Sequence, residues 1–135
     1  MIAALLHLAC IAGGPDWYRF FGAGEGVAQA AARGEAAPVL MTLGIAAVLG
    51  LWAAYAFSGA GRIMRLPFLR TALIAISTIY LARGLMGLAP ASAWGRPDLS
   101  TRFVIWSSAI VFIYGLAYAL GTWRAWPILS TKERQ

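Results

Sequence analysis

The sequence predicts an all-α integral membrane protein, a four-helix bundle with a long first extracytoplasmic loop that contains a short surface helix. Of the 135 residues, 61% are hydrophobic and only 12% are charged, whereas soluble domains are about a quarter charged. The apolar residues also form long runs that are separated by short basic segments. The chain is short enough for a single transmembrane domain, residues 1–135.

The predicted membrane helices lie at about residues 2–21, 38–58, 67–88 and 103–123. A helix needs around 20 mostly apolar residues to cross a hydrocarbon core of about 30 Å. The last three segments meet this length, and Pro38 and Pro67 suit positions in a first helical turn. The first segment is interrupted by Gly-Gly-Pro-Asp at 13–16. It therefore spans the membrane only if the helix continues after a kink.

Basic residues in the short connections predict the orientation, because cytoplasmic loops carry an excess of Lys and Arg. With the N-terminus inside, the basic residues on the cytoplasmic side are Arg62, Arg65, Arg70, Arg124, Lys132 and Arg134. Those on the outer side are Arg19, Arg33, Arg96 and Arg102. We therefore expect a multi-pass protein of the bacterial inner membrane with both termini in the cytoplasm. The connection 13–37, with a short helix at 27–33, then lies outside.

The net charge of +6 points to lipid as the principal partner. The basic residues lie between and after the apolar runs, where they meet the anionic surface of the bilayer. No dense basic helix is present to follow phosphates, so nucleic acid is not an expected partner. The single Cys10 excludes an internal disulfide, and the single His7 excludes bis-histidine haem. We predict no metal and no cofactor.

Small residues at four-residue spacing predict where helices pack closely, since lipid gives helices no hydrophobic reason to associate. The two stripes are Ala46, Gly50, Ala54 and Ser58 in the second predicted helix, and Gly115 with Ala119 in the fourth. Packing inside the bundle is the first interpretation, and dimerisation through the same stripes is the second. Four helices leave little room for an internal pathway, so we expect a homo-oligomer or a membrane-protein partner.

Ionisable residues within the apolar segments are the first candidates for function, because they are costly in lipid unless they are paired. His7 shares a helical face with Ala3, Cys10 and Gly14. It should therefore either hydrogen-bond to a neighbouring helix or contact a ligand. Arg83 lies near the outer end of its helix, where it either snorkels to the headgroups or turns inward.

An inward Arg83 would pair with Asp16 or Glu25, and Tyr80 one turn earlier would line the same site. The first part of the long first loop, residues 13–25, combines aromatic residues with Arg19. It suits either a belt at the lipid headgroups or a folded cap over the bundle. The ligand-binding residues predicted on this basis are His7, Asp16, Arg19, Glu25, Tyr80 and Arg83.

Two stretches, HLACIAGGPDWYRFFGAGE at 7–25 and SGAGRIMRLPFLR at 58–70, resemble uncharacterised small four-helix inner-membrane proteins of bacteria. The resemblance covers the first three predicted helices. It implies the same architecture and directs attention to the first loop, but it implies no activity.

The expected function is binding of a lipid, another amphipathic or anionic small molecule, or a membrane-protein partner at the outer face. Transport, lipid handling and a role as an accessory subunit are all forms of this function. The alternative is a membrane-embedded enzyme that uses His7 with Asp16 or Glu25 as acid and base on a lipid-like substrate. The sequence contains no Gly-x-Ser-x-Gly turn, no HExxH helix and no second histidine, so we prefer the binding interpretation.

Overall fold

The computed structural model describes residues 1–87 and 101–131, with side chains at 1–87 and 104–127. In these ranges the regular structure is helical, and the helices are α1 (Ile2–Phe20), α2 (Glu25–Ala32), α3 (Ala36–Gly59), α4 (Leu69–Met86) and α5 (Thr101–Thr131). Residues 89–100, which form most of the predicted outer connection between the third and fourth membrane helices, lie outside the described residues, as do Lys132 and Arg134.

The described residues form two compact units. The first contains residues 1–51 and 101–103, and therefore α1, α2 and most of α3. Its apolar core joins α1 to α2 through Cys10, Tyr18 and Ala28. The second unit contains residues 52–87 and 104–131. Its core is formed by Leu69 and Leu73 of α4, packed against aromatic and small residues of α3 and α5.

Three helical segments are long and apolar enough to cross a membrane: α3, α4 and Val104–Pro127 of α5. Large apolar side chains cover their outer surfaces, and Leu40, Leu51, Ile113 and Leu120 are each at least 50% exposed. Soluble proteins rarely expose apolar patches this extensive, because water disfavours contact with apolar surface. The chain is therefore a membrane protein with three helices of spanning length.

The first helix is kinked and is not among the three segments that are long and apolar enough to cross a membrane. Two helical segments join at Gly14, where φ is 69° and ψ is −156°, a backbone region open almost only to glycine. Pro15 follows, and its missing amide hydrogen suits the first turn of a new segment. The helix thus continues past the interruption. That α1 makes a fourth crossing stays a prediction.

The loop between α3 and α4, residues 60–68, is held against the end of α3. Gly61 has a left-handed φ of 69° and ends α3 in a Schellman motif, in which the Arg62 amide donates to the Phe57 carbonyl at 2.9 Å. The Ser58 hydroxyl lies 3.0 Å from both the Met64 carbonyl and the Leu66 amide. Because α4 begins at Leu69, Pro67 precedes the helix, whereas Pro38 lies in the first turn of α3.

Glycines allow α4 and α5 to approach closely. A Cβ atom added at Gly84 would lie 2.6 Å from Cβ and 2.8 Å from Cα of Phe112, and one at Gly115 would lie 2.8 Å from the Leu81 amide nitrogen. Gly87 faces the Ser108 side chain in the same way. Gly115 and Gly84 thus each face the backbone of the opposite helix, and Gly84 and Gly87 were not among the predicted packing residues.

The other predicted packing residues differ in their surroundings. Ala46 is buried, and Ala54 and Ala119 are half-buried. No described atom, apart from the helix's own nearby backbone, lies within 4 Å of the position that a Cβ at Gly50 would take. Gly50 is therefore not at a close helix contact within the part of the chain that the structure describes.

Hydroxyl side chains in the helices donate to a carbonyl one turn earlier. These bonds join Thr42 to Pro38, Ser77 to Leu73, Thr78 to Ile74 and Thr122 to Tyr118, with lengths of 2.7, 2.7, 2.9 and 2.7 Å. Such a bond needs no second helix. Within residues 1–87 and 104–127, no buried side-chain nitrogen or oxygen lacks a hydrogen-bond partner.

Candidate ligand-binding site

The first unit contains a cavity of about 170 Å³. Polar atoms enter it from two helices, and its lining residues are His7, Cys10, Tyr18, Phe21, Ala23, Met41, Thr42 and Ile45. The remaining wall is aliphatic or aromatic. An apolar pocket with a few polar groups is typical of small-molecule sites, and a cavity of about 150 Å³ already admits a ring the size of benzene.

Two buried hydroxyl groups share one acceptor in the cavity wall. Thr42 Oγ1 lies 2.7 Å from the Pro38 carbonyl oxygen and 3.2 Å from Tyr18 Oη. Tyr18 Oη lies 3.4 Å from the same carbonyl, and both residues are only 3% exposed. Because Thr42 has the shorter contact with the carbonyl, the Tyr18 hydroxyl is the more weakly bonded of the two. The Tyr18 hydroxyl can therefore donate to a ligand oxygen with the smaller loss of existing hydrogen bonding.

His7 is oriented by its own helix. Its Nδ1 lies 2.8 Å from the Ala3 carbonyl oxygen, and a carbonyl can only accept, so Nδ1 carries the hydrogen. In the neutral ring Nε2 is then an acceptor. Nδ1 of His7 is thus bonded within α1, and in the neutral ring Nε2 can accept a hydrogen bond from a donor outside this helix.

Cys10 completes the polar wall of the cavity. It is the single cysteine of the chain and is 6% exposed. A buried thiol of this kind behaves as a small apolar group with a weak donor. Cys10 therefore contributes shape to the cavity and provides a chemical handle for measuring access to it.

A charged cluster joins the end of α1 to the start of α2. Arg19 donates to both carboxylate oxygens of Glu25, through Nε and Nη2 at 3.0 Å each, and through Nη1 to Asp16 at 3.0 Å. Gln29 also donates to Glu25, at 3.3 Å. The hydrogen bond from Arg19 is the main reason that the pKa of Glu25 lies below its ordinary value. These groups are exposed, so the cluster fixes geometry more than it stabilises the fold.

Arg83 and Tyr80 belong to the second unit. Arg83 Nη1 lies 3.4 Å from Ser108 Oγ on α5, which is a long contact for a charged donor. Tyr80 packs in an aromatic cluster with Trp52, Tyr114 and Tyr118, at ring-centroid distances of 5.0, 6.1 and 5.6 Å. Since Asp16 and Glu25 lie in the first unit, their pairing with Arg83 stays a prediction.

The structure thus divides the six predicted ligand-binding residues into three groups. Asp16, Arg19 and Glu25 form the charged cluster, His7 lines the cavity, and the remaining two lie in the second unit. Tyr18 and Thr42 were not predicted. Tyr18 sits among similar aromatics, and only the fold distinguishes it from Phe20, which is 75% exposed. The one sequence signal for Thr42 is its position four residues after Pro38 in an apolar helix.

The donors in the cavity suit hydrogen bonding to an organic ligand. Among the described residues, no three His, Cys, Asp or Glu side chains come together as a metal site. No protein-family model matches the chain, and neither the curated proteins nor the solved structures gave a match.

Proposed function

We propose that this chain is a multi-pass protein of the bacterial inner membrane that binds an amphipathic or anionic small molecule, such as a lipid, in the cavity of the first unit. The proposal includes four crossings arranged as a bundle, with α1 making the fourth. It also includes cytoplasmic termini, so that α2 lies on the outer side. The number of helices supports a homo-oligomer or a complex with another membrane protein, since four helices enclose little space of their own.

The observation that carries the proposal is the combination of polar atoms in one small apolar cavity. The Tyr18 hydroxyl and the His7 imidazole offer a donor and an acceptor, and the remaining wall suits a hydrocarbon group. An amphipathic molecule satisfies both requirements, because its polar end meets the hydrogen-bonding groups while its hydrocarbon part meets the apolar wall.

The reactivity of Cys10 provides the test. The protein is reconstituted in phosphatidylcholine nanodiscs and treated with methyl methanethiosulfonate, and the mass of the intact chain gives the rate of modification. Only the ligand-free fraction reacts, so dodecanoate at ten times its Kd should slow the reaction about tenfold. Dodecanol serves as the uncharged comparison. A rate that is independent of dodecanoate at every concentration would exclude this cavity as the site.

Variants of the cavity wall sharpen the test. His7→Ala and Thr42→Val should weaken the protection by dodecanoate, because each removes a polar group from the wall. Thr78→Val is the matched control, since Thr78 is exposed on α4 and bonds to its own helix. Equal loss of protection in the control would show that the variants act through general stability.

The alternative function is a membrane-embedded enzyme that uses His7 with Asp16 or Glu25. The contacts favour binding, because both carboxylates are paired with Arg19 and the lowered pKa of Glu25 makes it a weaker base. The lipid profile of cells that carry His7→Ala tests the enzyme directly. An accumulated lipid that disappears on restoring His7 would support catalysis, whereas an unchanged lipid profile would exclude the enzyme hypothesis.

A further inference from the structure

The second unit contains a groove that is larger than the cavity of the first unit and separate from it. Its volume is about 480 Å³, within the range of about 300–1,000 Å³ that is usual for ligand sites. Small residues of α3 and α5 leave this space open, among them Gly59, Ala117 and Gly121. Along α5 the lining runs from Tyr114 to Ala125, which is about 16 Å at 1.5 Å per residue. That length is close to half of a hydrocarbon core of about 30 Å, or one leaflet.

The wall of the groove is largely apolar, and two of the hydroxyl groups in it, those of Tyr118 and Thr122, are already bonded. Tyr118 Oη donates to the Trp52 carbonyl at 2.9 Å, and Thr122 Oγ1 donates to the Tyr118 carbonyl at 2.7 Å. These two hydroxyl groups need no hydrogen-bond partner from a bound molecule. The wall therefore suits a hydrocarbon chain.

Arg124 lines the same groove, as do Gly59 and Ala60 at the end of α3. Three more arginines belong to this end of the unit. Arg62 and Arg65 lie on the α3–α4 loop that Ser58 holds in place, and the guanidinium of Arg70 lies 4.2 Å from the ring centroid of Trp126. The described residues of this unit include no Asp or Glu, and the nearest acidic residues in sequence, Asp98 and Glu133, lie outside the described ranges. A long apolar groove therefore ends at a concentration of positive charge.

We propose that this groove binds one acyl chain of an anionic phospholipid, with Arg124 contacting the phosphate and the neighbouring arginines attracting the negative headgroup. The charge complementarity favours an anionic lipid over a zwitterionic one. The apolar wall and the membrane location of α4 and α5 favour a bilayer lipid over a soluble phosphate. By the count of basic residues, this end faces the cytoplasmic leaflet, so the lipid is drawn from there. The proposal does not depend on the cavity of the first unit.

Native mass spectrometry tests the site. The protein is released from nanodiscs that contain equal amounts of phosphatidylglycerol and phosphatidylcholine, and the retained lipids are counted. We expect one phosphatidylglycerol to be retained preferentially. Arg124→Gln should reduce the preference for phosphatidylglycerol about fivefold, the effect expected from one basic residue near an anionic surface. Arg33→Gln, a basic residue in the first unit, is the charge-matched control and should leave the preference intact.

A second variant tests the acyl chain independently of charge. No described atom, apart from the local helix backbone, lies within 4 Å of a Cβ placed at Gly121, so Gly121→Leu places a branched side chain in the groove with no clash at Cβ. It should abolish retention of the bound lipid while leaving all four arginines in place. Glycerol phosphate added in excess should not compete, because it lacks the chain.

Three results would overturn the proposal. Retention that is unchanged in Gly121→Leu would place the lipid elsewhere. Competition by glycerol phosphate would show that a soluble anion suffices. A change from dimer to monomer in Gly121→Leu, with no retained lipid in the parent, would show that a second copy of the chain occupies the groove.

Discussion

Replacing Gly84 by alanine should destabilise the protein, because its neighbour across the helix contact is backbone. The added Cβ would lie 2.6 Å from Phe112 Cβ, whereas ordinary contacts are 3.4–4 Å. The Phe112 Cα and amide nitrogen lie at 2.8 and 2.9 Å, so no side-chain rotation relieves the overlap. α4 and α5 would have to separate by about 0.8 Å at this point, which weakens the surrounding van der Waals contacts.

The magnitude follows from two opposing effects. Overpacking a close contact costs about 1–3 kcal/mol, while alanine in a helix interior is favoured over glycine by about 0.5–1 kcal/mol. Gly50→Ala gains the helix preference without the overpacking, because no described atom beyond its own local helix crowds that position. The gain in helix preference is the same in both variants and cancels from the difference between them. Gly84→Ala should therefore be less stable than Gly50→Ala by about 1–3 kcal/mol, roughly fivefold to 150-fold in the unfolding equilibrium constant.

Unfolding by sodium dodecyl sulfate in mixed micelles, followed by circular dichroism, measures this difference. Gly115→Ala should behave like Gly84→Ala, because its Cβ would lie 2.8 Å from the Leu81 amide nitrogen. If Gly84→Ala and Gly50→Ala agreed within about 0.5 kcal/mol, the usual error of such comparisons, the close approach of α4 and α5 would be wrong.

Three further predictions concern polar contacts. The lowered pKa of Glu25 means that its pairing with Arg19 stabilises the protein at pH values above the ordinary carboxyl pKa of about 4.3, and that this contribution is lost as the pH falls through the lowered value. The difference in melting temperature between the parent and Glu25→Gln should therefore vanish in acid. A difference that stays constant with pH would contradict the pairing. Tyr118→Phe removes the side-chain hydrogen bond to the Trp52 carbonyl and should cost about 0.5–1.5 kcal/mol in the same micelle titration. No loss would argue against this bond. Ser58→Ala should speed amide hydrogen exchange in the α3–α4 loop without changing α5, because two of the loop's bonds end on that hydroxyl; uniform exchange changes would contradict a local role.

The spanning helices were the most predictable part of the fold, because uniform apolarity over about 20 residues leaves few other structures. The predicted segment 38–58 lies within α3, and α4 falls within 67–88. The last helix is less well predicted. The predicted segment ends at Trp123, before the charge of Arg124, yet α5 continues to Thr131, because a single charged residue does not end a helix.

The contacts between distant segments could not be read from the sequence. Spacing in one helix identifies a small residue, but it does not reveal which residue of another helix lies opposite, as Gly50 and Gly84 illustrate. In the same way, several cations were available to pair with Glu25. Arg19 has the advantage of proximity, because the turn after α1 brings it within 3.0 Å.

The hydrogen bonds that helical hydroxyls make to their own helix have a consequence for biogenesis. A newly made segment enters the bilayer before its neighbours are in place, and an unsatisfied polar group is costly in hydrocarbon. Ser77 and Thr122 carry their bonds with them, so each helix is ready to insert separately. Tyr18 is different, because the partners of its hydroxyl, the Pro38 carbonyl and the Thr42 hydroxyl, belong to α3. It is satisfied only after α3 has arrived, so burial of this hydroxyl depends on the meeting of α1 with α3.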